Sequence, residues 1–417
     1  MNTNPDNSVR GGRPRVLQLG KFYPPTRGGM ESHLKTLCDR LRQEVDVEVL
    51  VSNTGPSTVR EMCDGVPATR IARMAQVNST SVNPAMISAI RRTDANLIHL
   101  HWPNPMAALA YLMSGHTGKL VVTYHCDVLK QRILGQLFAP ILRAVLRRSK
   151  AIIVSSGNIL ETSPVLRKYL DRCHVIPFGI SEDHFALPVE GAVGDIRSQY
   201  GERLILSVGR LVDYKGFDYL IQAMVETPGR LLIAGEGPLK GELMALTRSL
   251  NLNDRVIFLG ELSDERLRNL YHAVDVFVLA STDRREAFGL VQAEAMAAAK
   301  PVINTHLDSG VPFVSLDGVT GLTVPHSDAG ALARAINLVM EDATLRSVLG
   351  QAARRRAEIM FRSQTMSALT LRTFEGALAD QPYLIAEKPQ FMAKGETVIP
   401  YLQIRQRGQL SRPGEDQ

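Results

Sequence analysis

Short runs of aliphatic and β-branched residues alternate with stretches of helical periodicity along most of this chain. The alternation is typical of α/β proteins, because neighbouring parallel strands need a helical crossover between them. We predict strands at 15–20, 45–52, 97–101, 119–124, 151–155 and 173–177 in the first half, and at 203–209, 230–234, 255–259, 275–279, 301–304 and 321–324 in the second. Two open sheets of this kind, facing each other across a cleft, would bind a ligand at the carboxyl ends of their strands.

Length and composition indicate two domains. At 417 residues the chain is long for a single core, and its 45% hydrophobic and 22% charged residues are ordinary for a globular protein. A stretch rich in glycine, proline and acidic residues follows the sixth predicted strand and indicates a hinge. The predicted organisation is a disordered segment at 1–14, a first domain at 15–180, a hinge at 181–200, a second domain at 201–375 and a polar tail at 376–417.

Cellular placement is predicted from what the sequence lacks. No apolar run reaches the roughly 18 residues of a membrane-spanning helix, and the polar first 14 residues carry no apolar signal core. We therefore expect a cytoplasmic protein, in the reduced-thiol compartment. The cysteines are widely spaced without a metal-ligand pattern, and we expect them to be reduced: Cys38, Cys63, Cys126 and Cys173.

A basic amphipathic stretch at 128–150 leaves two interpretations open. The net charge is +6, and no acidic residue occurs between Val128 and Leu160. Apolar residues at helical spacing interleave with the cations of this stretch, which are Lys130, Arg132, Arg143, Arg147, Arg148 and Lys150. Such a helix can make peripheral contact with an anionic membrane, or it can be a surface helix whose apolar side belongs to the core. Nucleic acid is not an expected partner, because exposed aromatic residues are not interleaved with the cations.

Two glutamates stand eight residues apart in the stretch DRREAFGLVQAEAMAAAKP at 283–301. Glu286 falls in a predicted loop and Glu294 in the first turns of a helix, about 12 Å apart if both followed helical geometry. That separation suits an elongated ligand with hydroxyls at both ends better than one metal ion. Gly289 allows a close backbone approach, and the N–H groups at the helix start can bind an anion. The pattern predicts a sugar-nucleotide site; the alternative is two glutamates placed by helix propensity alone.

A second motif places two cations on one strand-end loop. The strand predicted at 203–209 ends at Gly209, Arg210 and Lys215 follow in the loop, and a helix begins near Phe217. Arginine can bind phosphate oxygens through two nitrogens, and lysine adds a compact point charge, so the pair suits a diphosphate. The alternative is a solvated loop. No Asp-x-Asp pattern occurs, so we expect no metal and no other cofactor beyond the sugar-nucleotide substrate.

Two weaker motifs follow strands of the first half. Gly28 and Gly29 lie ahead of a predicted helix after the first strand, where glycines can approach a phosphate or a sugar. His125 follows the strand at 119–124 and Asp127 comes two residues later, so both are expected to point into the same cleft. The imidazole could hydrogen-bond a sugar or a phosphate, and the carboxylate could bind the acceptor hydroxyl. A purely structural histidine is the alternative.

The segment at 235–241 has a glycine pattern that superficially matches a dinucleotide-binding loop. Gly235 and Gly237 follow a predicted strand, but the third glycine, Gly241, is one position late. The strand also does not begin a domain. A nicotinamide or flavin enzyme is therefore disfavoured.

With these motifs assembled, the chain resembles family four of the retaining glycosyltransferases, which have two Rossmann-like domains in the arrangement called the GT-B fold. The likeness covers roughly residues 15–375, and its most specific part is the Glu-x7-Glu motif matched by Glu286 and Glu294. The stretches VGRLVDYKG, IAGEGPLKGEL and LGELSDERLRNLYHAVDVFVLAS are also typical of that family.

The resemblance implies roles in donor binding for one group of residues. Glu286 would contact donor-sugar hydroxyls and Glu294 the ribose, while Phe288, Gly289 and Leu290 would offer backbone groups to sugar and phosphate. The second domain would thus hold the nucleotide sugar, and the first would bind the acceptor.

The remaining implied roles concern the diphosphate and the reaction centre. Arg210 and Lys215, next to Gly209, would hold the diphosphate, Gly29 would close over it with Gly28 beside it, and His125 would line the reaction centre.

A finer resemblance is to bacterial mannosyltransferases of exopolysaccharide and O-antigen assembly. It is carried by HLHWPNPMAAL, VTYHCDVLKQ and INTHLDSGVPFVSLDGVTGLTVP. Those enzymes transfer mannose from GDP-mannose to a polyprenyl-diphosphate-linked oligosaccharide at the inner face of the cytoplasmic membrane, which implies the same donor, acceptor and peripheral location here. Ala299 stands where the family commonly has glycine, and we expect a slightly more crowded site there.

The predicted function is therefore α-mannosyl transfer with retention. One alternative keeps the fold but uses UDP-glucose or a dTDP-sugar on a small soluble acceptor. Another is a non-catalytic protein that binds a nucleotide sugar.

Overall fold

A computed structural model describes residues 12–26, 28–77, 80–127 and 132–380 of the chain. The segments predicted as disordered N-terminus and polar tail therefore lie largely outside the described residues, as does Lys130. Within the described ranges, two compact units are present. The first extends to Val154 and also includes Tyr169–His174 and the chain from Ser367 onward, whereas the second contains Ser155–Lys168 and Val175–Met366.

The first unit is built on an eight-stranded sheet. Its strand order is β10-β9-β8-β7-β1-β2-β4-β3, and β3 is antiparallel to β4 at one edge while the pairs from β4 through β9 are parallel. The strands are β1 (Arg15–Leu19), β2 (Asp46–Ser52), β3 (Val59–Cys63), β4 (Val66–Ile71), β7 (Leu97–Trp102), β8 (Lys119–Tyr124), β9 (Ala151–Val154) and β10 (Cys173–Val175), with a separate hairpin of β5 (Ala75–Val77) and β6 (Thr80–Val82).

Helices connect the strands of the first unit. They are α1 (Gly29–Leu41), α2 (Ala85–Arg92), α3 (Pro105–Ser114) and α4 (Arg132–Arg148), and the last helix among the described residues, α14 (Ser363–Leu378), lies mainly in this unit. Sequence periodicity predicted the six strands β1, β2, β7, β8, β9 and β10 but not β3 to β6. Strand β3 is exposed along most of its length, and β4 includes Pro67, Thr69 and Arg70, so both lack the continuous apolar run of a buried parallel strand.

The second unit is built on a six-stranded parallel sheet in the order β13-β12-β11-β14-β15-β16. Its strands are β11 (Leu204–Val208), β12 (Arg230–Ala234), β13 (Val256–Gly260), β14 (Val276–Leu279), β15 (Val302–Thr305) and β16 (Gly321–Val324). Its helices are α5 (Gly157–Thr162), α6 (Ala192–Tyr200), α7 (Phe217–Ala223), α8 (Lys240–Ser249), α9 (Asp264–Ala273), α10 (Leu290–Ala297), α11 (Val311–Val314), α12 (Ala329–Glu341) and α13 (Ala343–Met360). All six predicted strands of this half are present, with ends shifted by at most one residue.

Alternating residues of the central strand β11 fill two cores, one on each face of this sheet. Leu204 and Leu206 pack with residues of α9, α10 and α13, whereas Ile205 packs with residues of α7, α8 and α12. This is the two-residue period of a strand buried on both sides. The sheet is therefore anchored firmly, and the loops at the carboxyl ends of its strands are held in defined places.

The unit boundaries differ from the boundaries predicted from sequence. The segment predicted as a hinge at 181–200 forms a 3₁₀ helix at Glu182–Phe185 and then α6, both within the second unit. The chain first passes between units after Val154, and α14 returns to the first unit, where Asp380 pairs with Lys119 and Lys150. A unit made of separate chain segments depends on long-range packing. The glycine and proline content of 178–200 is a local property, so it does not indicate where such a unit ends.

Helix α4 contains the described part of the basic amphipathic stretch. Leu142, Val145 and Leu146 are buried, and Arg143 and Arg147 are exposed. In this half of the helix the apolar side belongs to the core, as the second interpretation of the sequence expects. Among the described residues, no helix combines the length and the hydropathy needed to cross a bilayer.

Candidate active site

The loops after β11 and β14 bring a lysine and a glutamate together in the second unit. These strands are neighbours in the sheet, so their carboxyl ends open at the same edge. Lys215 Nζ lies 2.5 Å from Glu286 Oε2, and both side chains are largely buried, at 12% and 10% exposed. Ser281 Oγ donates to the same carboxylate oxygen at 3.1 Å. The site that the sequence predicts around Glu286 thus contains an ion pair with Lys215, and this pair links two loops.

The electrostatics of this pair favour a lysine that stays charged. Burial by itself lowers the pKa of Lys215, but the charge and hydrogen bond of Glu286, together with nearby Tyr214 and Glu294, raise it, and the net result is a raised pKa. An ammonium held in this way is a fixed positive charge at the strand ends. It can stabilise a negative group that is brought beside it.

Glycines give the lysine loop its shape. The Lys215 side chain passes beside Gly209, where a Cβ would lie 3.3 Å from Lys215 Cε and Nζ. Gly216 has a φ of 65°, and a Cβ there would collide with the carbonyl oxygen of Ala280. The loop can therefore pack closely on the end of β14 only with glycine at this position.

The glycines of the apparent dinucleotide loop have a structural explanation. A Cβ on Gly235 would strike the Gly209 carbonyl, and one on Gly237 would strike the backbone of Leu211. These glycines allow the loop after β12 to contact the loop after β11.

Arg285, which no sequence motif indicated, supports the lysine–glutamate pair. Its Nη1 donates to Asp213 at 2.8 Å, its Nε donates to Asp283 at 2.8 and 2.9 Å, and its guanidinium lies 4.8 Å from the centre of the Tyr214 ring. Thr282 N also donates to the Tyr214 carbonyl at 2.8 Å. The loop carrying Lys215 is therefore clamped to the loop carrying Glu286. The only sequence signal was the dense charge of 283–286, which is ambiguous by itself.

The turn before α10 is supported by buried polar side chains. Gly289 has a φ of 75° and precedes the first helical residue, Leu290, while Phe288 is 3% exposed. Gln292 Nε2 donates to the Phe288 carbonyl at 3.1 Å, and Asn304 donates to Gln292 Oε1 at 2.9 Å. Phe288 thus belongs to the core, and its backbone together with that of Gly289 and Leu290 forms the turn.

Glu294 lies within α10 and contacts residues other than those around Glu286. Tyr271 Oη donates to Glu294 Oε2 at 2.8 Å, and His184 Nε2 lies 4.0 Å from Oε1. Burial, and then the nearby Glu294 charge, raises the pKa of Tyr271, so the phenol stays a hydrogen-bond donor. Arg210 lies just after β11 and is exposed, in contrast to Lys215, whose side chain is only 12% exposed.

In the first unit, His125 belongs to a buried cluster of histidines that are far apart in the sequence and that no motif grouped together. Its Nε2 lies 3.2 Å from Nδ1 of His101, and its ring centre lies 5.3 Å from that of His33. His99 lies beside His101, with ring centres 4.4 Å apart. Burial lowers the pKa of His99 and His125 to about 3 and that of His33 and His101 well below the ordinary range, so the imidazoles are neutral at pH 7.

The first unit also contains the predicted residues Asp127, Gly28 and Gly29. Asp127 accepts a hydrogen bond from the hydroxyl of Tyr124. Gly28 precedes α1, and Gly29 is its first residue; both are exposed. The side chain of Glu31 reaches back so closely that a Cβ on Gly28 would strike its carboxylate.

Within the described residues, one group satisfies a simple distance criterion for metal binding. It comprises His33, His101 and His125, whose possible ligand atoms all lie within 4.8 Å of one another. The group is fully buried and has no carboxylate member. A divalent cation there would lack a compensating charge, which makes its burial costly.

Known proteins of solved structure share this architecture. The sucrose-phosphate synthase of Thermosynechococcus elongatus superposes with a TM-score of 0.75 over 88% of this chain and 100% of its own, at 24% identity. Together with two domains built on largely parallel sheets, this likeness defines the GT-B fold, as the sequence predicts.

Sequence families and relatives identify the protein more closely. Residues 194–356 match the family described as Glycosyl transferases group 1, and residues 27–184 match Glycosyltransferase Family 4. A D-rhamnosyltransferase of Pseudomonas aeruginosa is 31% identical over 83% of this chain and 92% of its own length. An O-antigen chain mannosyltransferase C of Escherichia coli is 31% identical over 84% of this chain and 95% of its own. The chain belongs to the family 4 glycosyltransferases.

Proposed function

We propose that this glycosyltransferase transfers mannose, with retention of the anomeric configuration, from GDP-mannose to a polyprenyl-diphosphate-linked oligosaccharide in surface-polysaccharide assembly. The observation that carries the proposal is the buried pair of Lys215 and Glu286 at adjacent strand ends, 2.5 Å apart. It offers a cation for a diphosphate and a carboxylate for sugar hydroxyls in one place. The two relatives named above act on mannose and D-rhamnose, and the latter is 6-deoxymannose.

In the proposed reaction, the bond between the sugar's anomeric carbon and the diphosphate oxygen breaks. The acceptor oxygen forms a new bond to that carbon on the same face, and the acceptor proton passes to the departing diphosphate. Lys215 and Arg210 would stabilise the negative charge that develops on the diphosphate. Glu286 would accept hydrogen bonds from donor-sugar hydroxyls and so orient the ring.

We further propose that nucleotide binding relies on α10 and the turn before it. Glu294, oriented by Tyr271 at 2.8 Å, would accept hydrogen bonds from the ribose. The backbone of Phe288, Gly289 and Leu290 would meet the sugar and phosphates, and Gly209 leaves room for the Lys215 side chain that faces the diphosphate. In the first domain, His125 would contact the substrate, Asp127 the acceptor, and Gly28 and Gly29 the diphosphate.

No metal cofactor is part of this proposal, because Lys215 and Arg210 can supply the positive charge that other enzymes obtain from a divalent ion. Transfer should therefore continue in EDTA at the rate seen with Mg²⁺. A rate that falls at least tenfold in EDTA and recovers with Mg²⁺ would contradict this part of the proposal.

The proposed membrane contact is electrostatic. The buried positions of Leu142, Val145 and Leu146 remove these side chains from any apolar insertion, whereas Arg143 and Arg147 remain exposed. We expect sedimentation with anionic vesicles that weakens when Arg143, Arg147 and Arg148 are replaced by Gln, and that falls with added salt. Sedimentation equal for wild type and the triple variant would instead favour a soluble acceptor.

The decisive experiment compares nucleotides and then tests turnover. Thermal shift with GDP, UDP, dTDP and ADP should give a rise in melting temperature with GDP, enlarged by GDP-mannose. Purified enzyme should then extend a lipid-linked acceptor with mannose, and proton NMR of the product should show an α linkage. A preference for UDP or dTDP would replace mannose with another sugar. Donor binding without any product across a broad acceptor panel would favour a non-catalytic binding protein.

The two donor sugars suggested by the relatives differ at carbon 6, where mannose has a hydroxyl and D-rhamnose does not. GDP-mannose and GDP-D-rhamnose should be compared by their kcat/KM values under the same conditions. A higher value for GDP-mannose supports the proposal, and a higher value for GDP-D-rhamnose would assign the deoxysugar.

A further inference from the structure

The outer strands of the second domain's sheet end beside a pocket that is separate from the proposed donor site. β16 is the edge strand and β15 is its neighbour, on the side of β14 that faces away from β11. The pocket has a volume of about 550 Å³, within the range of small-molecule sites. Its polar lining residues are His306 after β15, Asp317 after α11, Thr323 in β16 and His326 after β16. We name it the β15–β16 pocket; neither Lys215 nor Glu286 lines it.

Hydrogen bonds hold the polar side of the β15–β16 pocket in place. Thr323 N donates to Asp317 Oδ1 at 2.8 Å, which fixes the carboxylate beside β16. Thr323 Oγ1 donates to Asn304 Oδ1 at 2.7 Å, so its hydrogen is used while the oxygen remains an acceptor. His306 N donates to the Val324 carbonyl at 2.8 Å and so holds the start of the His306 loop against the end of β16.

The polar lining side chains have further hydrogen-bonding capacity. Asp317 is exposed, and its Oδ2 accepts no hydrogen bond from the part of the chain that the structure describes. His306 and His326 are exposed as well, and the contact of His326 with Ser327 Oγ, at 3.2 Å, involves only Nδ1. A carboxylate oxygen accepts hydrogen bonds, and a neutral imidazole both donates and accepts. One ligand can therefore find donors and acceptors in the same pocket.

The rest of the lining is apolar. It consists of Pro312 in α11, Val324 at the end of β16 and Pro325 directly after it. A sugar ring has the same division, because its hydroxyls point outward at the rim and its C–H groups cover the faces. Hydroxyls can donate to a carboxylate and accept from an imidazole, while the C–H faces pack on proline and valine carbons.

Three other ligand classes fit this lining less well. An anion would be repelled by the Asp317 carboxylate, and the seven lining residues include no lysine or arginine to offset it. A nucleobase stacks on a phenylalanine, tyrosine or tryptophan ring, and none is among those seven. A metal ion needs ligand atoms that converge. Within the described residues, only the buried histidines of the first domain come together closely enough, and not His306, Asp317 and His326.

We infer that the β15–β16 pocket is a saccharide-binding site, which holds one sugar residue of the mannose-containing glycan that the enzyme elongates. The identity of this sugar rests on the proposed function. Asp317 Oδ2 would accept hydrogen bonds from sugar hydroxyls, and the two imidazoles would bind others. The site adds a glycan contact to a domain whose other proposed contacts are all with the nucleotide sugar.

Titration with a saccharide tests the pocket directly, without turnover. Full-length protein labelled with ¹³C and ¹⁵N in histidine is titrated with an α-linked mannotriose, and His306→Gln and His326→Gln assign the two ring signals by their absence. We expect both signals to shift with a Kd on the order of 1 mM, since one sugar residue makes only a few hydrogen bonds. The signal of His99, which is buried in the first domain, should stay in place.

A conservative variant tests the role of the carboxylate. Asp317→Asn keeps an acceptor for Thr323 N but replaces the Oδ2 oxygen by an amide, and we expect mannotriose to bind about tenfold more weakly, as for loss of a hydrogen bond to a charged group. Asp308→Asn is the matched control. Asp308 is an exposed carboxylate of the same loop that does not line the pocket, so its Kd should stay within about twofold of wild type. Equal affinity of wild type and Asp317→Asn would overturn the assignment, as would equal losses in both variants.

Maltotriose, a trimer of α-linked glucose, separates failure of this inference from failure of the proposed function. Shifts of the His306 and His326 signals with maltotriose alone would support the saccharide site and contradict mannose as its sugar. Shifts with mannotriose in a protein that transfers no mannose would support the site and contradict the proposed function. Signals that stay in place up to about 20 mM of either saccharide, in an enzyme that does transfer mannose, would overturn the site and leave the proposed function intact.

Discussion

Lys215 Nζ and Glu286 Oε2 lie 2.5 Å apart, although 71 positions of sequence separate their residues. They meet because β11 and β14 are adjacent strands and each residue lies in the loop that follows its strand. The pair places opposite charges at one edge of a parallel sheet, which is where such sheets bind ligands. The proposed donor site is centred on this contact.

Loss of either partner should impair transfer severely. Glu286→Ala and Lys215→Ala should each lower kcat/KM at least about a hundredfold, which is the scale of one preorganised contact to a transition state. The double variant should be little worse than either single one, since the two residues act as a unit. Release of nucleoside diphosphate, measured by chromatography, provides the rate.

An exposed ion pair of the same domain offers the control for that comparison. Lys240 and Glu236 lie 2.7 Å apart with side chains 38% and 48% exposed, and Lys240→Ala should change the rate less than about twofold. Near-normal turnover in soluble, folded Glu286→Ala and Lys215→Ala proteins would refute the assignment of the donor site.

Arg285 should affect catalysis through the loops that it joins. Arg285→Ala removes the hydrogen bonds to Asp213 and Asp283 and should lower kcat about tenfold, because Lys215 and Glu286 lose their fixed separation. Arg285→Lys should recover only part of the rate, since an ammonium cannot reproduce the planar fork. Asp213→Asn combined with Arg285→Ala should be no slower than Arg285→Ala alone. Additive losses in that double variant would show that the two residues act separately.

Acid should destabilise the first domain through its buried histidines. The folded pKa of His99 and His125 is about 3, below the 6.5 of an unfolded histidine, so the unfolded chain binds more protons between these values. Their stabilising contribution is complete above pH 6.5 and is lost as the pH falls toward 3. From pH 7.5 to 5.5 the free energy of unfolding should fall by about 3 kcal/mol from the two groups together.

The single tryptophan is a convenient probe of this effect, because Trp102 is buried beside His101. Urea unfolding, followed by tryptophan fluorescence at several pH values, gives the slope of the free energy of unfolding against pH, and His99→Gln should make this slope shallower. A free energy of unfolding that is constant between pH 7.5 and 5.5 would contradict the neutral state of the histidine cluster.

Ala299 should be a point of backbone strain. Its φ is 57°, a conformation that favours glycine, and its side chain is exposed. The crowding expected from the sequence is therefore absent, and the departure from the family's glycine affects the backbone instead. Ala299→Gly should raise the free energy of unfolding by about 0.5 to 1 kcal/mol, because relief of the left-handed strain exceeds the added chain entropy.

Differential scanning calorimetry measures this change, with Ala298→Gly as the control. Ala298 has a φ of −87° and is buried, so its replacement by glycine should destabilise the protein. Activity of Ala299→Gly should equal that of wild type. A destabilised Ala299→Gly protein would show that the strain is smaller than the entropy cost.

Local sequence patterns determined much of this fold. All six strands predicted in the second domain are present, because buried parallel strands are short apolar runs bounded by turn residues, and that signal needs no partner to be recognised. The Glu-x7-Glu motif and the position of Lys215 after its strand were visible in the same way. The hairpin of β3 and β4 was not visible, because β3 is largely exposed and carries no apolar run.

Only the tertiary structure decided which distant residues meet. The order of strands brings Lys215 to Glu286 and aligns Gln18, His101 and His125, and no local periodicity encodes strand order. The same holds for α14, which joins a domain whose other elements end 188 residues earlier, at Val175. Strand and helix formation depends on neighbours along the chain, whereas these contacts depend on the packing of whole elements, for which residue spacing carries no signal.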